Sequence, residues 1–149
     1  MKILITSHNF PPLEGGISTY SYEMAKSFSA NGEKVFVLTS MESDSQKFDD
    51  NQKFQITRMP KIKNNFLRFL LTFWFCLLEI LERKPDLVYS THWRNSGLAS
   101  LLACFLTGKA HYFIVHGSEI NSLFQDNDFI KKLFNFTVKY SRLIVATGS

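Results

Sequence analysis

Gly15 and Gly16 stand between a proline pair, Pro11 and Pro12, and a segment beginning near Ile17 whose apolar residues recur every three or four positions. A glycine turn that feeds a helix start is a ready anion site. The first N–H groups of a helix have no partner inside it, and the positive end of its dipole points the same way. The chemistry on offer is phosphate binding. Ser18 and Thr19 add hydroxyls in the first turn, and glycine lets a ligand approach the backbone closely. The pair is neither a dinucleotide fingerprint nor a P-loop, because no G-x-G-x-x-G is present and no G-K-[ST] follows. Taken alone it is equally a tight turn.

Two further stretches carry reactive residue types, Thr91 to Arg94 and His116 to Glu119. His92, Trp93 and Arg94 form a polar-aromatic cluster in which an indole face packs on a ring and a guanidinium clamps a phosphate or carboxylate. Their plainer alternatives are a hydrophobic lid for Trp93 and a surface charge at a helix start for Arg94. His116 is otherwise a turn residue capping a strand end. His8 and Asn9 follow the first strand and could line the same cleft, although a loop histidine of this kind has a structural alternative. His111 falls at the start of a strand, on the opposite edge.

The elements that must position these groups are legible in the hydrophobic pattern. Short runs rich in Ile, Val, Leu and Phe predict strands at Lys2 to Ser7, Lys34 to Thr39, Phe54 to Met59, Asp86 to Ser90, His111 to Val115 and Arg142 to Ala146. Ile17, Tyr20, Met24 and Phe28 place one apolar stripe on a first helix, which Asn31-Gly32 ends. Further helices are expected from about Asn65 to Arg83, Arg94 to Leu106 and Asp128 to Tyr140, with Met41 to Lys53 a surface loop. Strand and helix in alternation predict an α/β fold with a Rossmann-like, doubly wound parallel sheet, whose ligands bind at the carboxyl ends of the strands. The three reactive stretches all follow strands, so they should meet at one edge.

With 149 residues, 45% of them hydrophobic, the chain is expected to fold as one unit, and its net charge of +4 favours anionic partners. The basic residues do not interleave with aromatics along a recognition element, so a nucleic-acid partner is not expected. Cys76 and Cys104 sit in apolar stretches without metal-ligand spacing, and the four histidines accompany no carboxylate cluster. Buried thiols, no metal and no cofactor are the expectation. No secretory signal precedes the first strand, which predicts a cytoplasmic protein.

The stretches Pro11-Pro-Leu-Glu-Gly-Gly-Ile-Ser18, Asn31-Gly-Glu-Lys-Val-Phe-Val37, Lys84-Pro-Asp-Leu-Val-Tyr-Ser-Thr-His92 and Val115-His-Gly-Ser-Glu119 resemble, in order and over nearly the whole chain, the N-terminal domain of family-four retaining glycosyltransferases. The resemblance implies one half of a GT-B fold, two Rossmann-like domains with the active site between them. It implies that Gly15 and Gly16 approach the donor diphosphate and that His116 contacts the donor sugar at the reaction centre as an orienting, catalytic group. Glu119 would accept hydrogen bonds from sugar hydroxyls or be a solvated loop acid. His92, Trp93 and Arg94 would stand where the acceptor enters. The implied partners are a nucleotide-sugar donor and a cell-envelope glycan or lipid-linked acceptor, with retention at the anomeric carbon. The implied C-terminal nucleotide-binding domain is absent from residues 1–149, so this acceptor-side domain is expected to be inactive alone and to need that domain or a partner subunit.

Phe66 to Leu81 is apolar almost all round. At about 1.5 Å per residue it reaches ~24 Å, short of the ~30 Å hydrocarbon core. Arg58, Lys61, Lys63 and Arg68 at its start would favour an anionic leaflet by roughly 1 kcal/mol each, making a peripheral site at the inner membrane face one reading. Burial against a second domain or subunit is the other. A noncatalytic membrane-surface or protein-interaction module is the alternative to the enzyme.

Overall fold

The computed structural model describes the backbone of residues 1–147 and the side chains of all of these except Asn95, Gly117, Ser118, Phe124 and 143–147. Six strands, β1 (Lys2–Thr6), β2 (Lys34–Ser40), β3 (Gln55–Met59), β4 (Leu87–Ser90), β5 (Ala110–His116) and β6 (Leu143–Thr147), form one sheet in the order β3-β2-β1-β4-β5-β6. Every neighbouring pair is parallel. All six predicted strands form, each displaced by no more than one residue at an end, because continuous apolar runs bounded by polar residues suit strands covered on both faces.

The two-residue alternation of β1 divides the core. Ile3 and Ile5 pack with Phe10, Val35, Val37 and Ala25 of α1 (Gly16–Ala30). Leu4 faces the other way and joins Leu38, Val88, Cys76 and Ile80 of α3 (Asn65–Arg83), with Cys104 of α4 (Leu98–Thr107). A third cluster sets Phe113 and Val115 of β5 against Ile130, Phe134 and Val138 of α6 (Asp128–Tyr140). Both cysteines are free and buried, and burial pushes the Cys76 thiol up to about 12 and the Cys104 thiol upward too.

Three elements depart from the sequence expectation. Met41 to Lys53 is not all loop, since a single turn, α2 (Ser45–Asp49), is pinned there by Phe48, whose ring meets Phe10 and Tyr22 at 6.2 and 5.6 Å. The helix expected from Arg94 begins instead as a π turn over Trp93–Gly97 and becomes α4 only at Leu98. A helix that was not expected, α5 (Gly117–Gln125), follows β5 directly.

A polar thread runs through the α4 side of the sheet. Thr6 Oγ1 bonds Ser100 Oγ at 2.9 Å and Ser90 Oγ at 2.8 Å, Ser90 Oγ bonds His111 Nε2 at 2.9 Å, and His111 Nδ1 bonds Ser141 Oγ at 2.8 Å. His111 thus lies away from the site, as expected. Its burial holds the imidazole pKa down to about 3, against 6.5 for the free side chain. The folded state keeps the ring neutral while the unfolded chain takes up a proton below about pH 6.5. Stability is therefore complete above that pH and falls by about 1.4 kcal/mol per pH unit as the solution is acidified toward 3. Urea unfolding at pH 7 and pH 5 should show His111→Gln losing about 2 kcal/mol less than the wild type over that interval. Equal losses would show that the ring protonates in place.

Candidate functional site

The strand order reverses between β1 and β4, and the crevice outside the carboxyl ends of such a pair is where open α/β sheets take their ligands. The loop after β1 enters that crevice through the glycine pair. Gly15 has φ +145°, a conformation closed to other residues, and supplies the bend. Gly16 is different: its φ is ordinary, and a Cβ built there meets nothing within 4 Å. Neither backbone nor packing asks for glycine at 16. No side chain caps the α1 start, no acid sits in its first turn, and the buried Ser18 hydroxyl turns back to the Leu13 carbonyl. The backbone amides and the dipole are what this helix start presents.

Arg58 of β3 holds the loop from behind. Its guanidinium donates to both carboxylate oxygens of Asp49, at 3.0 and 2.7 Å, to the Ser40 carbonyl at 3.0 Å and to the Pro11 carbonyl at 2.6 Å. Only 6% of its side chain is exposed. This corrects the grouping of Arg58 with a headgroup-facing cluster, since a guanidinium so enclosed and so fully used reaches no lipid. Lys61, from the same cluster, is paired with Glu42 at 2.7 Å.

The ends of β4 and β5 are bound to each other and to α1. His116 Nε2 lies 3.0 Å from the Thr91 carbonyl, which can only accept, so that nitrogen carries the ring hydrogen. Thr91 Oγ1 accepts from Ser21 of α1 at 3.0 Å, and Ser21 also meets Ser7 after β1 at 2.9 Å. Tyr20 sets its ring edge-on to His116 at 5.7 Å and bonds the Tyr89 hydroxyl at 2.9 Å. Burial raises the Tyr89 phenol, which therefore stays protonated. The glycine turn and His116 thus open on one edge, and Tyr20, Ser21 and Thr91 join them. The sequence places Tyr20 only on the apolar stripe, because a phenol on a helix face gives no local sign of its partner.

Glu119 joins the other two stretches. Its carboxylate accepts the His116 N–H at 3.0 Å and the Trp93 N–H at 3.3 Å, and lies 2.9 Å from His92 Nδ1. That last approach is an ion pair when the ring is protonated, though it is off the line a hydrogen bond needs. The residue is 6% exposed, so it is no solvated loop acid. With His116 it forms a capping box that starts α5. Trp93 is 2% exposed and packs edge-on against Phe134 at 5.1 Å, which makes it a core residue and not a lid. Arg94 lies over the Trp93 ring at 5.3 Å and is paired with Asp126.

Beside this cluster runs a groove of about 860 Å³ between the start of α3 and the α5–α6 region. Phe66, Phe69, Leu98, Phe129, Ile130 and Leu133 make its apolar walls, and Arg68, His92, Arg94 and Glu119 its polar part. His8 belongs to a different cavity, behind the loop, where its Nδ1 meets Ser40 at 3.1 Å and its Nε2 meets Thr72 at 3.0 Å. The expectation that it lines the same cleft is corrected on that ground. Among the described residues no three His, Cys, Asp or Glu side chains are grouped to hold a metal ion.

A family model described as Glycosyltransferase Family 4 matches residues 14–148. Similar solved structures include MurG from Acinetobacter baumannii, with a TM-score of 0.64, 14% identity, and coverage of 98% of this chain and 41% of that one. A glycosyltransferase from Rickettsia africae gives 0.70, 17%, 97% and 36%. The UDP-GlcNAc 2-epimerase of Methanocaldococcus jannaschii gives 0.68, 14%, 98% and 39%. The chain thus spans about two fifths of the length of these structures. No curated protein matches it in sequence.

Proposed function

This chain belongs to glycosyltransferase family 4, and from that premise we propose that it is the N-terminal, acceptor-side domain of an enzyme that moves a sugar from a nucleotide-sugar donor to a cell-envelope glycan or lipid-linked acceptor, with retention at the anomeric carbon. The bond from the anomeric carbon to the diphosphate breaks and its electron pair leaves with the phosphate. The acceptor oxygen forms the new bond, and its proton goes to the departing diphosphate. Backbone amides at Gly15 and Gly16 and the α1 dipole stabilise the charge that gathers there. His116, whose Nε2 hydrogen goes to Thr91 and whose ring accepts the Glu119 backbone N–H, orients the donor sugar by contact instead of accepting the proton. The acceptor comes in past His92 and Arg94, with Trp93 supporting Arg94 from beneath and Glu119 fixing the distance between the two stretches.

The observation that carries the reading is Gly16, a glycine that neither strain nor packing requires, at an uncapped helix start on the binding edge of the sheet. The similar solved structures include a UDP-GlcNAc 2-epimerase and S. aureus MnaA with UDP, which supports a nucleotide-sugar donor. A second nucleotide-binding domain, from the same chain or another, completes the site, and the complex works in the cytoplasm at the membrane face. Without that domain, residues 1–149 bind donor weakly and transfer nothing measurable.

Gly16→Val tests the proposal in the domain joined to its nucleotide-binding half, across a panel of nucleotide sugars. The variant should keep its melting temperature, since a Cβ at this position meets nothing within 4 Å, and lose transfer by about 100-fold. Unchanged transfer in the folded variant would sink the site assignment. The noncatalytic module has one observation in its favour: α3 leaves Phe66, Trp74, Leu78 and Leu81 exposed. Among the described residues no helix is long and apolar enough to cross a membrane. Lipid binding without any nucleotide-sugar effect would favour the module.

A further inference from the structure

We infer that the outward face of α3, with the end of α4 beside it, joins this chain to a second copy of itself, the two α3 helices running antiparallel about a two-fold axis at Trp74. Leu67, Leu71, Trp74, Leu78 and Leu81 follow at spacings of four, three, four and three. That is the seam of a coiled coil, and it lies on the side away from Cys76 and Ile80, which pack on the sheet. The stripe is symmetric about its centre. Leu67 and Leu81 each stand seven residues from Trp74, so turning the helix end for end lays apolar on apolar along about 21 Å. A two-fold interface needs this self-complementarity, and antiparallel helices also set their dipoles in favourable opposition.

Area decides between a solvated face and a partner. Leu67, Trp74, Leu78 and Leu81 are 49–58% exposed, and Phe105 and Leu106, at the end of the neighbouring α4, are 70% and 66% exposed. Together they leave roughly 800 Å² in water, more than the largest apolar patch of a typical soluble monomer and one partner's share of a standard interface. Charge and position choose the partner. Between Asn65 and Arg83 the helix carries two arginines and two glutamates, and α4 carries no charged residue, so the face lacks the basic rim that holds a helix on anionic lipid. Arg83 is itself paired with Glu79 at 3.4 Å and Glu82 at 3.5 Å, and Glu82 stands exposed at the end of the stripe. The second domain of the proposed enzyme does not reach this face. α3 begins after β3 at the binding edge and ends before β4, and α4 ends before β5, so Leu78, Leu81, Phe105 and Leu106 stand toward the opposite edge.

Sedimentation velocity of the 149-residue chain should show a monomer–dimer equilibrium in the micromolar range, the weak end for an interface of this size. Dilution through it should move the Trp74 emission to the red, while Trp93, which is buried, keeps its own. Leu78→Lys, at an exposed position where folding tolerates the change, should weaken the dimer at least ~100-fold by burying an unpaired charge. Met41→Lys, at a similarly exposed apolar position off both helices, should leave it unchanged. In a mixture of Leu67→Cys and Leu81→Cys chains, a mild oxidant should join the two positions to each other and not like to like, as the antiparallel order requires. A chain monomeric throughout, a dimer indifferent to Leu78→Lys, or like-to-like cross-links would overturn the inference. So would sedimentation of a monomeric chain with phosphatidylglycerol vesicles that Leu78→Lys abolishes, which would assign the face to lipid. A monomer once the nucleotide-binding half is joined would assign it to that half. Transfer and its Gly16 dependence are measured separately, so loss of the dimer leaves the transferase reading standing.

Discussion

Replacing Arg58 with alanine is expected to cost about 3–5 kcal/mol of folding stability, which for a chain of this size lowers the melting temperature by about 10 °C. The change strands the Asp49 carboxylate, which is 15% exposed, without the bidentate partner that offsets its burial. It also leaves the Ser40 and Pro11 carbonyls without their donor and removes the guanidinium from above Phe10, 6.0 Å from its ring. Arg58→Lys keeps the charge but has no fork, so it should recover less than half of the loss. Asp49→Asn should cost less than Arg58→Ala, because the Pro11 and Ser40 bonds survive. Because Arg58 reaches the loop that leads to Gly15 and Gly16, nucleotide-sugar affinity should fall with stability, whereas Asp49→Asn should lower stability more than affinity. Thermal denaturation and a donor titration on the three variants check this. A loss under 1 kcal/mol in Arg58→Ala would mean the clamp behaves as an exposed pair.

Glu119→Ala is expected to cost about 2–4 kcal/mol, since it removes a buried acceptor of two backbone N–H groups and the carboxylate that lies 2.9 Å from His92 Nδ1. Glu119→Gln is the sharper probe. The amide keeps the shape but has one oxygen, and its NH₂ must point at a donor, so a loss of about 1–3 kcal/mol should remain. Nitrogen-detected NMR of the His116 ring should show a hydrogen on Nε2 in the wild type, as the Thr91 carbonyl demands, and the signal should weaken or move in both variants as α5 loses its cap. A variant with wild-type stability and an unmoved His116 signal would show that Glu119 does not position that ring.

The strands and the three long helices were readable because burial on both faces of a sheet, or on one face of a helix, leaves a period in the residues themselves. Ile3-Leu4-Ile5 and Ile17-Tyr20-Met24-Phe28 carry that period without help from distant partners. The one-turn helix α2 has no room to show one. It exists because Phe48 and Asp49 find Phe10 and Arg58 in space. α5 was missed for a related reason: its cap is a histidine still counted in β5, where the usual signal is serine or threonine. Convergence of the three reactive stretches followed from strand and helix alternation, and the structure brings them together. What each residue does there did not follow, because Arg58, Trp93 and Glu119 take their roles from contacts with residues 9 to 47 positions away.

The π turn at Trp93–Gly97 carries a length constraint. Gly97 N–H bonds the His92 carbonyl at 2.7 Å, and a Cβ at Gly97 would stand 3.0 Å from that same oxygen, so any other residue there pushes the carbonyl back by a few tenths of an ångström. A wide turn of this kind holds one residue more than an α-helical turn does. Shortening the stretch by one residue would rewind it to the ordinary pitch and rotate everything upstream by about 100° relative to α4. Trp93 would leave Phe134, and His92 would swing off Glu119. A one-residue deletion between β4 and α4 in this chain is therefore expected to be tolerated only when the pocket around Trp93 and the acid beside His92 are changed along with it.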